Sequence, residues 1–254
     1  MAALFNAKPV LFLLIPFLML HRNSDTSFEF PTFSGPYSKT LLTFQGDASL
    51  SKGVIHLTKI QDGIVVPKSA GRATYALPVR LWDAQTGKVA SFTTTFSFNM
   101  SFGRNTADGI SFFLAPFEST LPVNSFGGYL GLFDHRFALR NTDHNQIVAV
   151  EFDMHQNAWD PGFPHVGIDV NSISSVATSQ WKNDYGVLTA VVTVTYDAVS
   201  QSLKVVVVNG PTISHVIDLK TVLPEWVSVG FSGATGLLTE VHQIQSWTFS
   251  SSFD

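Results

Sequence analysis

Between Val150 and His165 the chain reads Val150-Glu151-Phe152-Asp153-Met154-His155-Gln156-Asn157-Ala158-Trp159-Asp160-Pro161-Gly162-Phe163-Pro164-His165. Three carboxylates, an asparagine and two histidines fall within this one stretch. Glu151 and Asp153 stand two apart at the end of a strand pattern. They therefore share a face, roughly 7 Å apart at ~3.4 Å of rise per residue. Carboxylates so placed repel each other unless a cation or a proton lies between them. Asp153, Asn157 and Asp160 offer side-chain oxygens from one loop, and His155 between them offers its main-chain oxygen. Such an all-oxygen set suits a hard cation such as calcium. Glu151, Asp153, Asp160 and His165 combine carboxylate with imidazole, which suits manganese or another first-row transition metal. Asp153 and Asp160 belong to both sets, so two cations can sit side by side. The order is not that of an EF-hand, whose D-x-[DN]-x-[DN]-G start fails at His155 and Ala158. The alternative is a solvated acidic loop with its carboxylates held apart.

The cluster stands out because the rest of the chain is so weakly charged. Of 254 residues only 13% are Asp, Glu, Lys or Arg, about half the usual ~25%. Fifteen basic against 19 acidic residues leave a net charge of −4. That balance argues against a nucleic-acid-binding surface, which needs a positive field. Cysteine is absent, which excludes disulfides, thiolate metal sites and cysteine nucleophiles.

The elements that must position the cluster are strands. Ser91 to Phe98 places Phe92, Phe96 and Phe98 on one face and Thr and Ser on the other. Ser27-Phe28-Glu29-Phe30 and Val227 to Phe231 alternate likewise, and Ile147 to Asp153 runs apolar into its carboxylates. Leu188 to Tyr196 and Leu203 to Val208 are rich in Val and Thr. Such β-branched and aromatic runs, bounded by Gly, Asn, Pro and Asp, read as strands. Ile110 to Ala115 is apolar on both faces and reads as a strand covered on both sides. The only helical signal is a turn near Leu223-Pro224-Glu225-Trp226. Many short strands and no linker predict one all-β sandwich or barrel. The 22 phenylalanines supply its core.

Residues 1–26 differ in kind. Lys8, an apolar run from Pro9 to Leu20 and a polar exit over His21 to Thr26 describe a secretory signal peptide, with cleavage expected near Ser27. The run is too short to span a membrane, which takes ~20 apolar residues. Residues 27–254 form the expected domain. Asn99-Met100-Ser101 is a glycosylation sequon.

Taken in order, the motifs resemble the legume lectins. Val148 to Asp153 followed by His165-Val166-Gly167-Ile168-Asp169-Val170-Asn171-Ser172-Ile173 is similar to the metal segment of that family. Leu42 to Ala48, Ala107-Asp108-Gly109 through Pro116, Gly127-Gly128-Tyr129-Leu130-Gly131-Leu132-Phe133, Leu223 to Val227, and Val229 to Trp247 match further segments, covering the whole of 27–254. The resemblance implies an antiparallel jelly-roll sandwich, the concanavalin-like legume lectin fold. It implies a transition metal on Glu151, Asp153, Asp160 and His165, with Ser175 holding a metal-bound water. It implies calcium on Asp153, the His155 carbonyl, Asn157 and Asp160. It also implies a cis Ala107–Asp108 bond and a shallow sugar site. There Asp108 is an acceptor, Asn157 an amide donor, the Gly128 N–H a donor, and Leu237 and Leu238 supply main-chain donors and an apolar rim. Secretion to the exterior or the vacuole, glycan and glycoprotein partners and a homodimer or homotetramer follow from the same resemblance.

Two positions bear on the sugar. His155 stands where Phe, Tyr or Leu often stacks on the sugar in the family, as it does in fucose-binding members. The loop Leu237-Leu238-Thr239-Glu240-Val241 is short, as in mannose/glucose-binding members. A glycoside hydrolase on a similar sandwich is the catalytic competitor, since Glu151 and Asp153 could form its carboxylate pair. Such strands continue to a further acid, and here His155 and Gln156 stand instead, so no enzyme is expected. The remaining alternative is a storage or defence protein of lectin type with weakened or lost sugar binding.

Overall fold

The computed structural model describes residues 25–102, 106–140, 142, 145–181 and 186–253. Most of the expected signal peptide lies outside the described residues, as does the side chain of Ser101 in the sequon. Among the described residues no helix is long and apolar enough to cross a membrane.

Among the described residues the regular structure is almost entirely strand. In order these are β1 Thr26–Phe30, β2 Leu42–Gly46, β3 Ser49–Ser51, β4 Val54–His56, β5 Ile60–Gln61, β6 Ile64–Val65, β7 Ala70–Tyr75, β8 Val79–Arg80 and β9 Ser91–Phe102. The second half holds β10 Gly109–Pro116, β11 Val148–Asp153, β12 His165–Val170, β13 Ala177–Gln180, β14 Gly186–Asp197, β15 Ser202–Val207, β16 Thr212–Val216, β17 Trp226–Ala234 and β18 His242–Ser252. A back sheet runs β16-β15-β14-β9-β18-β4-β3 with β1 on β18. A front sheet runs β13-β12-β11-β10-β17-β7-β2 with β8 on β17. Every pairing within them is antiparallel.

The strands expected from alternation are present, and Thr26, one residue ahead of the expected mature start, already pairs with Ser251. Short edge strands such as β3, β13 and β16 carried too few alternating positions to read. The helical turn falls at Leu219–Thr221, just ahead of the expected Leu223 to Trp226. Asp218 caps it by accepting from the Lys220 N–H, and Trp226 already belongs to β17. A four-residue helix at Ser38–Leu41 carries no apolar periodicity and was not foreseen.

Aromatic side chains fill the space between the sheets. Phe96 of β9 meets Phe112, Phe152 and Phe231 of three front-sheet strands, at centroid distances of 5.8, 6.1 and 5.0 Å. Each large ring buried here removes enough apolar surface to contribute a few kcal/mol, of the order of 1.5–3. Alternation does the rest. With Phe152 pointing inward, Glu151 and Asp153 must point to the other face of the front sheet. That face is covered too. Phe113, Ala115 and Ala149 pack under Leu130, Leu132, Phe133 and Ala138 of the loop between β10 and β11. The doubly apolar pattern of β10 thus has its cause.

Candidate metal centre and adjoining loops

Register builds the centre. β11 pairs with β12 so that Asp153 lies opposite His165 and Glu151 opposite Gly167. Directly opposed residues on one face have Cβ atoms roughly 4.5–5.5 Å apart, so His165 joins the two carboxylates. Gly167 leaves the room that Glu151 needs, since a Cβ there would collide with the Glu151 and Ser175 side chains. Ligand atoms of Glu151, Asp153 and His165 all lie within 4.8 Å of one another, and all three residues are buried. His165 Nε2 and Glu151 Oε1 are 2.9 Å apart.

The loop after β11 is tied back on the same carboxylates. The His155 N–H donates to Asp153 Oδ1 at 2.7 Å, and the Asn157 N–H to Asp160 Oδ2 at 2.6 Å. Asp160 stands outside the 4.8 Å group, but its charge reaches His165 and is repelled by Glu151. Ser175 Oγ lies 2.6 Å from both Glu151 Oε1 and Asp169 Oδ1. One hydroxyl proton cannot serve both oxygens. Asp169 is fully buried and repelled by Glu151, both of which push its carboxyl well up. Asp169 was not among the expected residues. The alternation of β12, with His165, Gly167 and Asp169 on one face, is the signal that could have found it.

Burial and mutual repulsion dominate the electrostatics of the cluster. Burial, then Glu151 and Asp160, push the Asp153 carboxyl well above its usual range. Burial raises Asp160 to about 6, against the Asn157 N–H bond. For His165 burial works downward, but the hydrogen bond and charge of Glu151 outweigh it and the net shift is upward. Glu151 Oε2, Asp153 Oδ2 and Asn157 Oδ1 are buried without a hydrogen-bond partner. Buried polar atoms are nearly always satisfied. Three oxygens unsatisfied in one place, beside an imidazole, fit the donor set of bound divalent metal.

The neighbouring strand ends bring the other expected residues to the same edge. Gly109 pairs with Asp153 on one side and Ala234 on the other. The segment before β10, the loop after β11 and the loop after β17 therefore emerge together. Ala107–Asp108 is a cis peptide bond, as expected. The Asp108 carbonyl accepts from the Met154 N–H at 2.9 Å and its N–H donates to the Ala234 carbonyl at 3.2 Å. Asp108 is buried, with Oδ2 unpartnered. Burial and then the charge of Glu240 raise its carboxyl to about 7, opposed by a bond from the Gly236 N–H. Glu240, a second unforeseen residue, is itself buried and bonded to His242 Nε2 at 2.9 Å. Leu237 is 85% exposed and Leu238 half-buried.

The fourth segment is the turn at Gly127–Tyr129, whose Gly127 N–H donates to the Thr235 carbonyl at 3.1 Å. Gly128 lies against Asn157 so closely that a Cβ would strike its carboxamide. Tyr129 stacks on Trp159 at 5.4 Å, joining this turn to the loop after β11. If Gly128 and Asn157 have the roles that the resemblance implies, Gly128→Ala displaces Asn157 and weakens both sugar and calcium binding by about tenfold or more, ~1.4 kcal/mol. Titration calorimetry with each ligand measures it.

A model of the legume lectin domain matches residues 25–254. Lectin 7 of Medicago truncatula is 51% identical, covering 94% of each chain. The acidic lectin of winged bean, solved with methyl-α-D-galactose, superposes with a TM-score of 0.81 at 41% identity, covering 91% of this chain and 100% of its own. Lectin I of Ulex europaeus, solved with the methyl glycoside of α-L-fucose, gives 0.79 at 40%, covering 90% and 98%. With the fold and the four converging segments in place, the chain belongs to the legume lectin family of non-catalytic carbohydrate-binding proteins.

Proposed function

We propose that this protein is a calcium- and manganese-dependent lectin that recognises a monosaccharide unit in glycans and glycoproteins. The observation that carries the reading is the meeting of Asp108, Gly128, Asn157 and the loop after Gly236 at one sheet edge beside the buried carboxylates. A pyranose presents hydroxyls that need both donors and acceptors. Asp108 supplies acceptor oxygens, the Gly128 N–H a donor, and the Asn157 amide nitrogen a second donor while its oxygen turns to calcium. Leu237 and Leu238 contribute main-chain donors and an apolar rim, and His155 stacks on the sugar's apolar face. Glu151, Asp153, Asp160 and His165 hold the transition metal, with Ser175 on its water. Asp153, the His155 carbonyl, Asn157 and Asp160 hold calcium. When bound, the cations neutralise the carboxylates and fix the loop that carries Asn157.

His155 and the short loop at 237–241 favour fucose and mannose/glucose respectively. The solved neighbours add galactose to the sugars worth testing. Titration of the protein with each of these four, with both metals present, is expected to show binding of at least one. No binding of any at millimolar sugar would refute the reading.

The domain spans 27–254 behind a signal peptide at 1–26, and the protein enters the secretory pathway for the exterior or the vacuole. Multivalency in a homodimer or homotetramer turns weak sugar contacts into avidity. Sequencing of the mature N-terminus is expected to start near Ser27; an intact Met1 would contradict the signal peptide.

A further inference from the structure

We propose that Arg72 is a positioning residue for the sugar site, a clamp that fixes the turn presenting the Gly128 N–H. The proposal rests on the reading that Gly128 contacts sugar. Arg72 lies in β7 and is 1% exposed. Its Nε donates to the Gly131 carbonyl at 2.7 Å, Nη2 to Leu132 at 2.9 Å and Nη1 to Thr120 at 3.2 Å. Its guanidinium sits over the Phe113 ring, 4.7 Å from the centroid. Among the described residues it has no carboxylate partner within 4.0 Å.

Burying a charge without a counter-ion is costly, and burial alone brings this guanidinium down to about 9. The gain that offsets the cost is geometric. Only guanidinium offers several N–H groups in one rigid plane. Its fixed fork satisfies three main-chain oxygens of the loop between β10 and β11 at once, where a lysine ammonium is a point charge on a flexible stem.

Two of those oxygens belong to the turn that begins at Gly127. Leu130 and Gly131 both have positive φ, 51° and 71°, which directs the Gly131 and Leu132 carbonyls toward Arg72. The Gly131 N–H donates to Ser125 at 2.7 Å and the Leu132 N–H to Tyr129 at 2.8 Å. Ser232 Oγ donates to the Leu130 carbonyl at 2.7 Å. The serine thus holds the middle of the turn, and Arg72 holds its exit. With the exit free, Gly128 loses its fixed distance to Asn157 and Asp108.

The test uses Arg72→Lys, with Phe113→Leu as a second variant that weakens the support beneath the guanidinium and keeps its hydrogen bonds. Each full-length protein is loaded with calcium and manganese, then measured for metal affinity, monosaccharide affinity and amide hydrogen exchange. For Arg72→Lys we expect unchanged metal affinity, sugar affinity lower by about tenfold, and exchange over residues 125–132 faster by at least tenfold. Exchange over 150–157 should not change. Phe113→Leu should show the same pattern more weakly, and it carries the test if Arg72→Lys does not fold. Wild-type exchange over 125–132 in both variants overturns the proposal, as does faster exchange with wild-type sugar affinity. If the parent itself binds no sugar, the functional reading fails, and the exchange data still decide whether Arg72 clamps the turn.

Discussion

Asp108→Asn should lower sugar affinity by about 100-fold or more in a protein that still folds and holds its metals. In the proposed site the Asp108 carboxylate accepts hydrogen bonds from sugar hydroxyls, each worth ~1.5–3 kcal/mol when one partner is charged. Loss of two such bonds at ~1.4 kcal/mol per factor of ten gives the expected drop. Stability moves the other way. In the metal-free protein burial and Glu240 raise Asp108 to about 7, above its ordinary value near 3.8. A carboxyl raised on folding is harmless at low pH, where both states hold the proton. It becomes a growing penalty as pH climbs from about 4 to about 7, where only the unfolded state ionises freely. Asparagine does not titrate. In chelator, the variant should therefore match the parent in melting temperature near pH 4 and exceed it at pH 8. A variant that melts lower at pH 8 would show that the charge is compensated by something other than metal.

Asp153→Ala should abolish sugar binding altogether and cost the metal-loaded protein about 10–20 °C. Asp153 belongs to both proposed ligand sets, so both cations leave with it. Each bound ligand stabilises the folded state by ~2.7 kcal/mol at a concentration 100 times its dissociation constant. Two sites at that occupancy contribute roughly 5 kcal/mol, and a chain of this size loses ~2–4 °C per kcal/mol. Calorimetry should place the variant with metals near the parent in chelator. Adding chelator to the variant should change nothing further. Because Asp153 is pushed well up by burial and Glu151, its removal also relieves repulsion in the metal-free state. The metal-free variant should accordingly melt no lower than the metal-free parent. A variant that keeps its chelator-sensitive melting step would show that Asp153 holds neither ion.

The sheet frame and the candidate metal segment were legible because both are local. Phe92, Phe96 and Phe98 declare the buried face of β9 by alternation, and Glu151 and Asp153 declare a shared face by being two apart. What lay beyond the sequence was set by register. Asp169 reads as one more polar residue of β12 until the pairing of Glu151 with Gly167 places it beside a carboxylate. Glu240 and Asp108 lie far apart in the chain, yet β17 and β10 bring their loops together. Arg72 is missed for a related reason. A lone arginine in a strand pattern normally reads as a solvated edge, and only the fold shows three carbonyls converging on it. The resemblance to the legume lectins carried the proposed sugar-facing residues at Asp108, Gly128 and 237–238. Singly these are an ordinary turn, an ordinary glycine and two exposed or half-buried leucines.

The central claim is that metal builds the site that binds sugar. A glycan array with the mature protein tests it most directly, run with calcium and manganese, again after chelation, and again after both metals are restored. The account predicts binding to glycans sharing one monosaccharide, its loss in chelator and its return with metal. Equal binding in chelator would contradict it.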